Sequence, residues 1–199
     1  MTEVLTNVKQ NNTISRRNFL HLSAGMAAAV FASPALMKTA NAAVISGERN
    51  ISLYNIHTGE ILKTVYWQDG HYIPEAMAQI NHILRDRRNG EIEKMDKHLI
   101  DMLAELHHKV DGKQAFQVIS GYRSPATNTS LRKASSKGGV AKKSLHMRGM
   151  AIDIRLPKVQ LERLRKVASQ MRRGGVGYYP RDGFIHVDVG RVRYWGQKV

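Results

Sequence analysis

The chain has 199 residues, no cysteine, and 31 basic against 16 acidic side chains, a formal charge of +15. The missing thiols exclude a disulfide scaffold and a cysteine-ligated metal. In a cytosolic chain such a charge would point to nucleic acid, whose phosphates give up counterions to lysine and arginine, but the amino terminus argues for another destination.

Ser15-Arg16-Arg17-Asn18-Phe19-Leu20 reads as a twin-arginine export signal, and Ala40-Asn41-Ala42 as the cleavage site that closes it. Between them, Leu22 to Leu36 is small and apolar with no acidic residue, but it contains Ser23, Gly25, Ser33 and Pro34. It is also shorter than the roughly 20 residues of a spanning helix. The expected organisation is a signal peptide over residues 1–42 and a single domain over 43–199, whose 157 residues suffice for one core. Losing the leader removes four basic residues and one acidic residue and leaves +12. In the periplasm such a protein meets cell wall, with its stem-peptide carboxylates, and anionic membrane surfaces; nucleic acid is not an expected partner.

After a polar linker, Ala43 to Asn50, Ile51–Tyr54 and Ile61–Trp67 read as a β-hairpin with Gly59 in its turn. Pro74 and Glu75 open a helix with Met77, Ile80, Ile83 and Leu84 at helical spacing, stopped at Asn89-Gly90. A second helix from about Asp96 to Val110 presents Leu99, Met102, Leu103 and Leu106 on one face. Phe116–Ser120 reads as a strand. Residues 126–143, rich in Ser, Thr, Asn, Gly and Lys, read as a mobile loop, either a substrate lid or a solvated surface segment. Met150–Ile154 reads as a buried strand, Lys158 to Arg172 as a third helix with Val159, Leu161, Leu164 and Val167 inward, and Val176–Tyr179 as extended. A turn over Pro180–Gly183 leads into a strand from Phe184 to Val189. The class is α+β.

His146, Asp153 and His186 form a candidate zinc site. Two neutral imidazoles and one carboxylate leave a tetrahedral zinc an open fourth position, the pattern of a catalytic site. With one anionic ligand the metal keeps net positive charge and can lower the pKa of bound water to roughly 7. Each histidine alone would more often be structural, and His57, His71, His82, His98, His107 and His108 have no comparable neighbours in the pattern.

The run SGYRS at 120–124, the pattern S-x-H-x-x-G-x-A-x-D at Ser144, His146, Gly149, Ala151 and Asp153, and the later strand carrying His186 resemble one superfamily. It is that of the zinc D-Ala-D-Ala carboxypeptidases, VanX and hedgehog-like domains. The leader, the size and the ending GVGYYPRDGFIHVDVGRVRYW are similar to its YcbK-type group of murein endopeptidases. The motif similarity covers about Phe116 to Trp195.

This resemblance implies a small antiparallel sheet with helices packed against it, Zn2+ held by His146, Asp153 and His186, and Arg123 facing a substrate carbonyl or carboxylate. Tyr122 and Ser144 are then expected beside the substrate, although Ser144 could equally orient the metal site or cap a turn. It also implies a monomer acting on peptidoglycan, cutting cross-links between two diaminopimelate residues. A D,D- or L,D-carboxypeptidase is the neighbouring alternative, and a non-catalytic, zinc-stabilised wall-binding module is the alternative of a different class. Relatives carry an acidic residue three positions before the last histidine, or a histidine two before it, where this chain has Gly183 and Phe184. Asp188, on the same strand face as His186, and Asp182, in the preceding turn, are the candidate general bases.

Overall fold

The computed structural model describes residues 47–135 and 139–196; the expected signal peptide and its cleavage site lie outside them. β1 (Glu48–Asn55) and β2 (Ile61–Gln68) form the expected hairpin, with Gly59 at φ 75° in the turn. β1 begins earlier than the apolar pattern suggests: Glu48 and Arg49, read as linker, pair with Gln68 and Trp67 ahead of a bulge. β3 (His71–Tyr72) adds a short edge.

α1 (Pro74–Ile83) ends well before Asn89-Gly90, because Asp86 and Glu91 close a tight turn there. α2 (Lys97–Lys109) is capped by Asp96, whose carboxylate accepts from His98 N at 2.8 Å, and buries the expected leucine face. β4 (Phe116–Ser120) follows. The segment expected to be a mobile loop instead opens with α3 (Pro125–Ala134). Ser124 Oγ accepts from Thr127 N at 3.1 Å and Pro125 occupies the first turn, a cap and a start signal that outweigh the polar composition. Its buried positions are Thr127 and Asn128, so it has no apolar stripe to read.

A 3₁₀ turn (Leu145–Arg148) precedes β5 (Ala151–Arg155). α4 (Leu161–Met171) starts three residues after the expected Lys158, which adopts φ 64° and so cannot be helical. β6 (Gly175–Tyr179), β7 (Phe184–Asp188) and β8 (Arg193–Gly196) complete the chain.

The strands form one eight-stranded sheet, in the order β3-β2-β1-β4-β5-β7-β6-β8. The α+β class holds, but the sheet is neither small nor wholly antiparallel: β1 runs parallel to β4, and β6 to β8. Both parallel pairs join strands distant in sequence, the first across α1 and α2, where a local hydrophobic pattern carries no pairing information. α1 packs on β2, α2 on β1 and α4, and α4 on β6 and β7. Leu53, Phe116, Val118, Ile152, Ile154, Ile185 and Val187 fill this core, each contributing about 1.5–3 kcal/mol of burial. No helix among the described residues is long and apolar enough to cross a membrane.

Candidate metal centre

β5 and β7 lie at the middle of the sheet, with Ile152 opposite Val187 and Ile154 opposite Ile185. The period of two therefore sends Asp153 and His186, also directly opposed, to the other face. His146 arrives from the 3₁₀ turn. That turn ends at Gly149, left-handed at φ 63° and pressed so closely on the Lys94 carbonyl that a β-carbon would collide with it. The glycine between the two ligands in the sequence pattern thus has a steric reason.

His186 Nδ1 lies 2.9 Å from Asp153 Oδ1 and 3.2 Å from His146 Nε2, and His146 Nε2 lies 3.3 Å from Asp153 Oδ1. Donor atoms of a tetrahedral zinc with bonds of about 2.0–2.1 Å stand about 3.3 Å apart, so the three fit one ion. This is the one such group among the described residues.

The outer ring nitrogens are committed. His146 Nδ1–H donates to Gly121 O at 2.8 Å and His186 Nε2–H to Asp188 Oδ2 at 3.0 Å, leaving a lone pair on His146 Nε2 and on His186 Nδ1. Burial works to raise the Asp153 pKa, yet the two imidazoles hold it well below the usual carboxylate range. Burial likewise opposes a charged His186, but Asp153 and Asp188 outweigh it and raise its pKa. The pocket favours positive charge beside Asp153, which a metal ion would supply.

Asp188 is 0% exposed. Its Oδ1 accepts from Gly175 N, Gly190 N and Arg193 Nη1, and its Oδ2 from His186 and Arg193 Nη2. Both oxygens are occupied on the side of His186 away from the donor cluster, the geometry of a residue that orients the ring. Asp182 is exposed in the turn before β7, and among the described residues its carboxylate has no partner.

Arg123 follows β4, with its guanidinium 3.8 Å from Asp153 Oδ2. Its other contacts are long, 3.4 Å to Ser120 Oγ and 3.5 Å to Asn128 Oδ1 on α3, and its buried Nε has no partner. Burial lowers its pKa and Asp153 partly restores it. A buried guanidinium with donors to spare can serve an anionic or carbonyl oxygen. Tyr122 is buried beside it, its N donating to Leu84 O, and Ser144 is buried at the start of the 3₁₀ turn without its side chain capping it.

Sequence reasoning missed Arg193, Asn128 and Trp195. Trp195 leans on the His186 ring at 5.1 Å and fits because Gly177, opposite His186 on β6, has no side chain there. The Arg193 to Trp195 alternation was a faint strand signal, and Ser124-Pro125 a clear helix start. A wide cavity between α2 and β1 shares no residue with this centre.

A His-Asp-His cluster at a sheet face, beside a buried arginine with unused donors, is the layout of a metal-dependent hydrolase. Residues 43–195 match the peptidase family M15_2, described as peptidoglycan L,D-endopeptidase MepK. The MepK endopeptidase of Escherichia coli K12 is 40% identical over 182 residues, covering 91% of this chain and 97% of that protein, and the Shigella flexneri protein matches equally. A probable MepK of Haemophilus influenzae is 38% identical over 148 residues, 74% of this chain and 78% of its own length. The chain belongs to this MepK-type peptidase family.

Proposed function

We propose that the chain is an exported, monomeric, zinc-dependent peptidoglycan endopeptidase that hydrolyses stem-peptide cross-links between two diaminopimelate residues in the periplasm. It reaches that compartment by the twin-arginine route with removal of residues 1–42. The observation that carries the reading is the convergence of His146 Nε2, Asp153 Oδ1 and His186 Nδ1 within 3.3 Å of one another, beside the spare donors of Arg123. The L,D-endopeptidase names of the relatives favour internal cleavage over trimming of a terminal residue.

Zinc bound by these three residues supplies a water ionised near neutral pH and a Lewis acid for the amide carbonyl. Gly121 O and Asp188 hold the two imidazoles in the tautomers that binding requires. Arg123 donates to the carbonyl oxygen as it gains negative charge, in a buried setting that strengthens the interaction. Asp182, whose carboxylate is unoccupied, takes the proton and returns it to the departing amine. Tyr122 and Ser144 border the substrate, and the basic surface keeps the enzyme on the anionic wall.

The test is incubation with intact peptidoglycan, with zinc and then with a chelator, reading the fragments by mass spectrometry. Zinc-dependent loss of diaminopimelate-linked dimers is expected. A folded, zinc-loaded protein that leaves every cross-link intact would instead be a wall-binding module.

A further inference from the structure

Arg123 also forms one wall of a cleft that none of His146, Asp153 and His186 lines. Its other wall is the turn after α1, and it is lined by His57, Arg87, Arg88, Ser120, Gly121 and Arg123, among others. The turn is firmly built. Buried Asp86 accepts from Arg88 N at 3.0 Å and from Ser124 N at 2.9 Å, so one carboxylate ties the turn to the residue following Arg123.

The cations on this turn differ in their partners. Arg85 is paired with Glu60 at 2.9 Å, whereas Arg87 and Arg88 are exposed and have no carboxylate within 4.0 Å among the described residues. Both also bear on their neighbours: after burial, Arg87 and then Arg88 lower the pKa of His57, and Arg88 helps burial lower that of Arg123 against the pull of Asp153. Asp86 and Asp153 offset part of this charge, so three guanidinium groups share the cleft with fewer carboxylates than cations and none of those carboxylates within 4.0 Å of Arg87 or Arg88. Arg123 Nε adds a buried donor without an acceptor. The cleft measures about 290 Å3 up to open solvent, and its interior admits about one water-sized group. A carboxylate is too large for that interior and would sit at the cleft's solvent-facing mouth, where Arg87 and Arg88 are exposed.

We propose that Arg87, Arg88 and Arg123 form a carboxylate-binding subsite, which takes a free carboxylate of the stem peptide beside the cross-link and sets the register of the scissile amide over the metal centre. The proposal rests on the peptidoglycan reading for the identity of the ligand. Guanidinium groups meet a carboxylate with paired N–H donors, and an amidated stem peptide loses that charge-assisted match.

The experiment compares a stem peptide ending in free diaminopimelate carboxylate with its amidated counterpart. Calorimetry measures the binding of each to the purified protein, and the corresponding cross-linked dimers report KM and kcat. The wild type is expected to bind the free acid about tenfold more tightly, the weight of one charge-assisted contact. The Arg87→Gln/Arg88→Gln double variant should lose that preference with an unchanged melting curve, and the effect on cleavage should appear in KM. Arg165→Gln, on the far helix α4, should retain the preference.

Equal binding of the two peptides by the wild type, or an undiminished preference in the double variant, would overturn the subsite. The binding arm does not depend on turnover. Preference without cleavage keeps the subsite and removes the endopeptidase reading, whereas cleavage without preference does the reverse.

Discussion

Replacing Asp188 by asparagine separates orientation from proton transfer. The carboxylate has five donors around it: three on Oδ1, from Gly175 N, Gly190 N and Arg193, and two on Oδ2, from His186 and Arg193. An asparagine keeps its oxygen where three donors converge, which turns its NH2 toward His186 and Arg193. To accept from that NH2, His186 must give up its Nε2 proton and carry it on Nδ1, the atom that faces Asp153 and His146. The variant therefore removes a metal-binding lone pair. Partners of this kind are worth about 10- to 100-fold in metal affinity. Breaking a buried ion pair costs about 3–5 kcal/mol, and the lower end applies because Arg193 is 34% exposed and keeps some water. Zinc affinity by chelator competition and urea unfolding in chelator measure the two effects. If zinc affinity and stability stayed at wild-type values while kcat fell by about 10²-fold or more, Asp188 would be the proton-transfer group and the orientation argument would be wrong.

Asp182→Asn should lower kcat by about 10²- to 10⁴-fold with zinc affinity intact; unchanged kinetics would remove Asp182 from the mechanism. Gly121→Ala drives a β-carbon into the Leu84 carbonyl and displaces the acceptor of His146 Nδ1, so a loss of about 1–3 kcal/mol by urea titration and weaker zinc binding should appear together. Asp101→Ala deprives Tyr66, Tyr72 and Arg49 of a shared acceptor that is 13% exposed. It should cost about 3 kcal/mol while kcat, measured where the variant is folded, stays put. In the metal-free protein the raised pKa of His186 contributes stability that is fully present below its ordinary 6.5 and is lost as pH rises through the folded value. Asp153, whose pKa is depressed, contributes above 3.8 and loses that contribution as pH falls toward the folded value. The melting temperature in chelator should thus decline from pH 6 to pH 9, and with zinc it should rise over the same range, since binding needs neutral imidazoles; parallel curves would contradict this.

The clustering of His146, Asp153 and His186 was readable because each has a local cause: a turn closed by Gly149, and two strands whose period of two sets polar against apolar faces. The hairpin and the leucine face of α2 were readable for the same reason. What stayed hidden depends on tertiary placement that no local pattern encodes. Arg193 acts through Asp188 only after β8 has folded alongside β6, and Asn128 meets Arg123 only because α3 is held by polar contacts that leave no hydrophobic period. The two parallel pairings and the Asp86 tie between the Arg88 turn and Ser124 belong to the same class. Composition misled at residues 125–134, where a serine cap and a proline start outweighed a run of loop-forming residues.

Charge across the sheet connects the site to its substrate. Along the face, Arg193 pairs with Asp188, Asp188 with His186, His186 with Asp153, and Asp153 lies 3.8 Å from Arg123. Two carboxylates thus stand between two guanidinium groups, and with neutral imidazoles the row sums to zero. A divalent cation in the donor cluster leaves it at +2, in a setting where water is scarce and charge is weakly screened. Held by His146, Asp153 and His186, such an ion would favour anionic oxygen beside it, and the spare donors of Arg123 would favour a second one. Arg87 and Arg88 extend the same positive field along the cleft. Under the proposed function, a substrate that brings a carboxylate of its own next to the bond to be broken would suit this field, and that would distinguish a stem-peptide cross-link from a neutral peptide before any side-chain contact is counted.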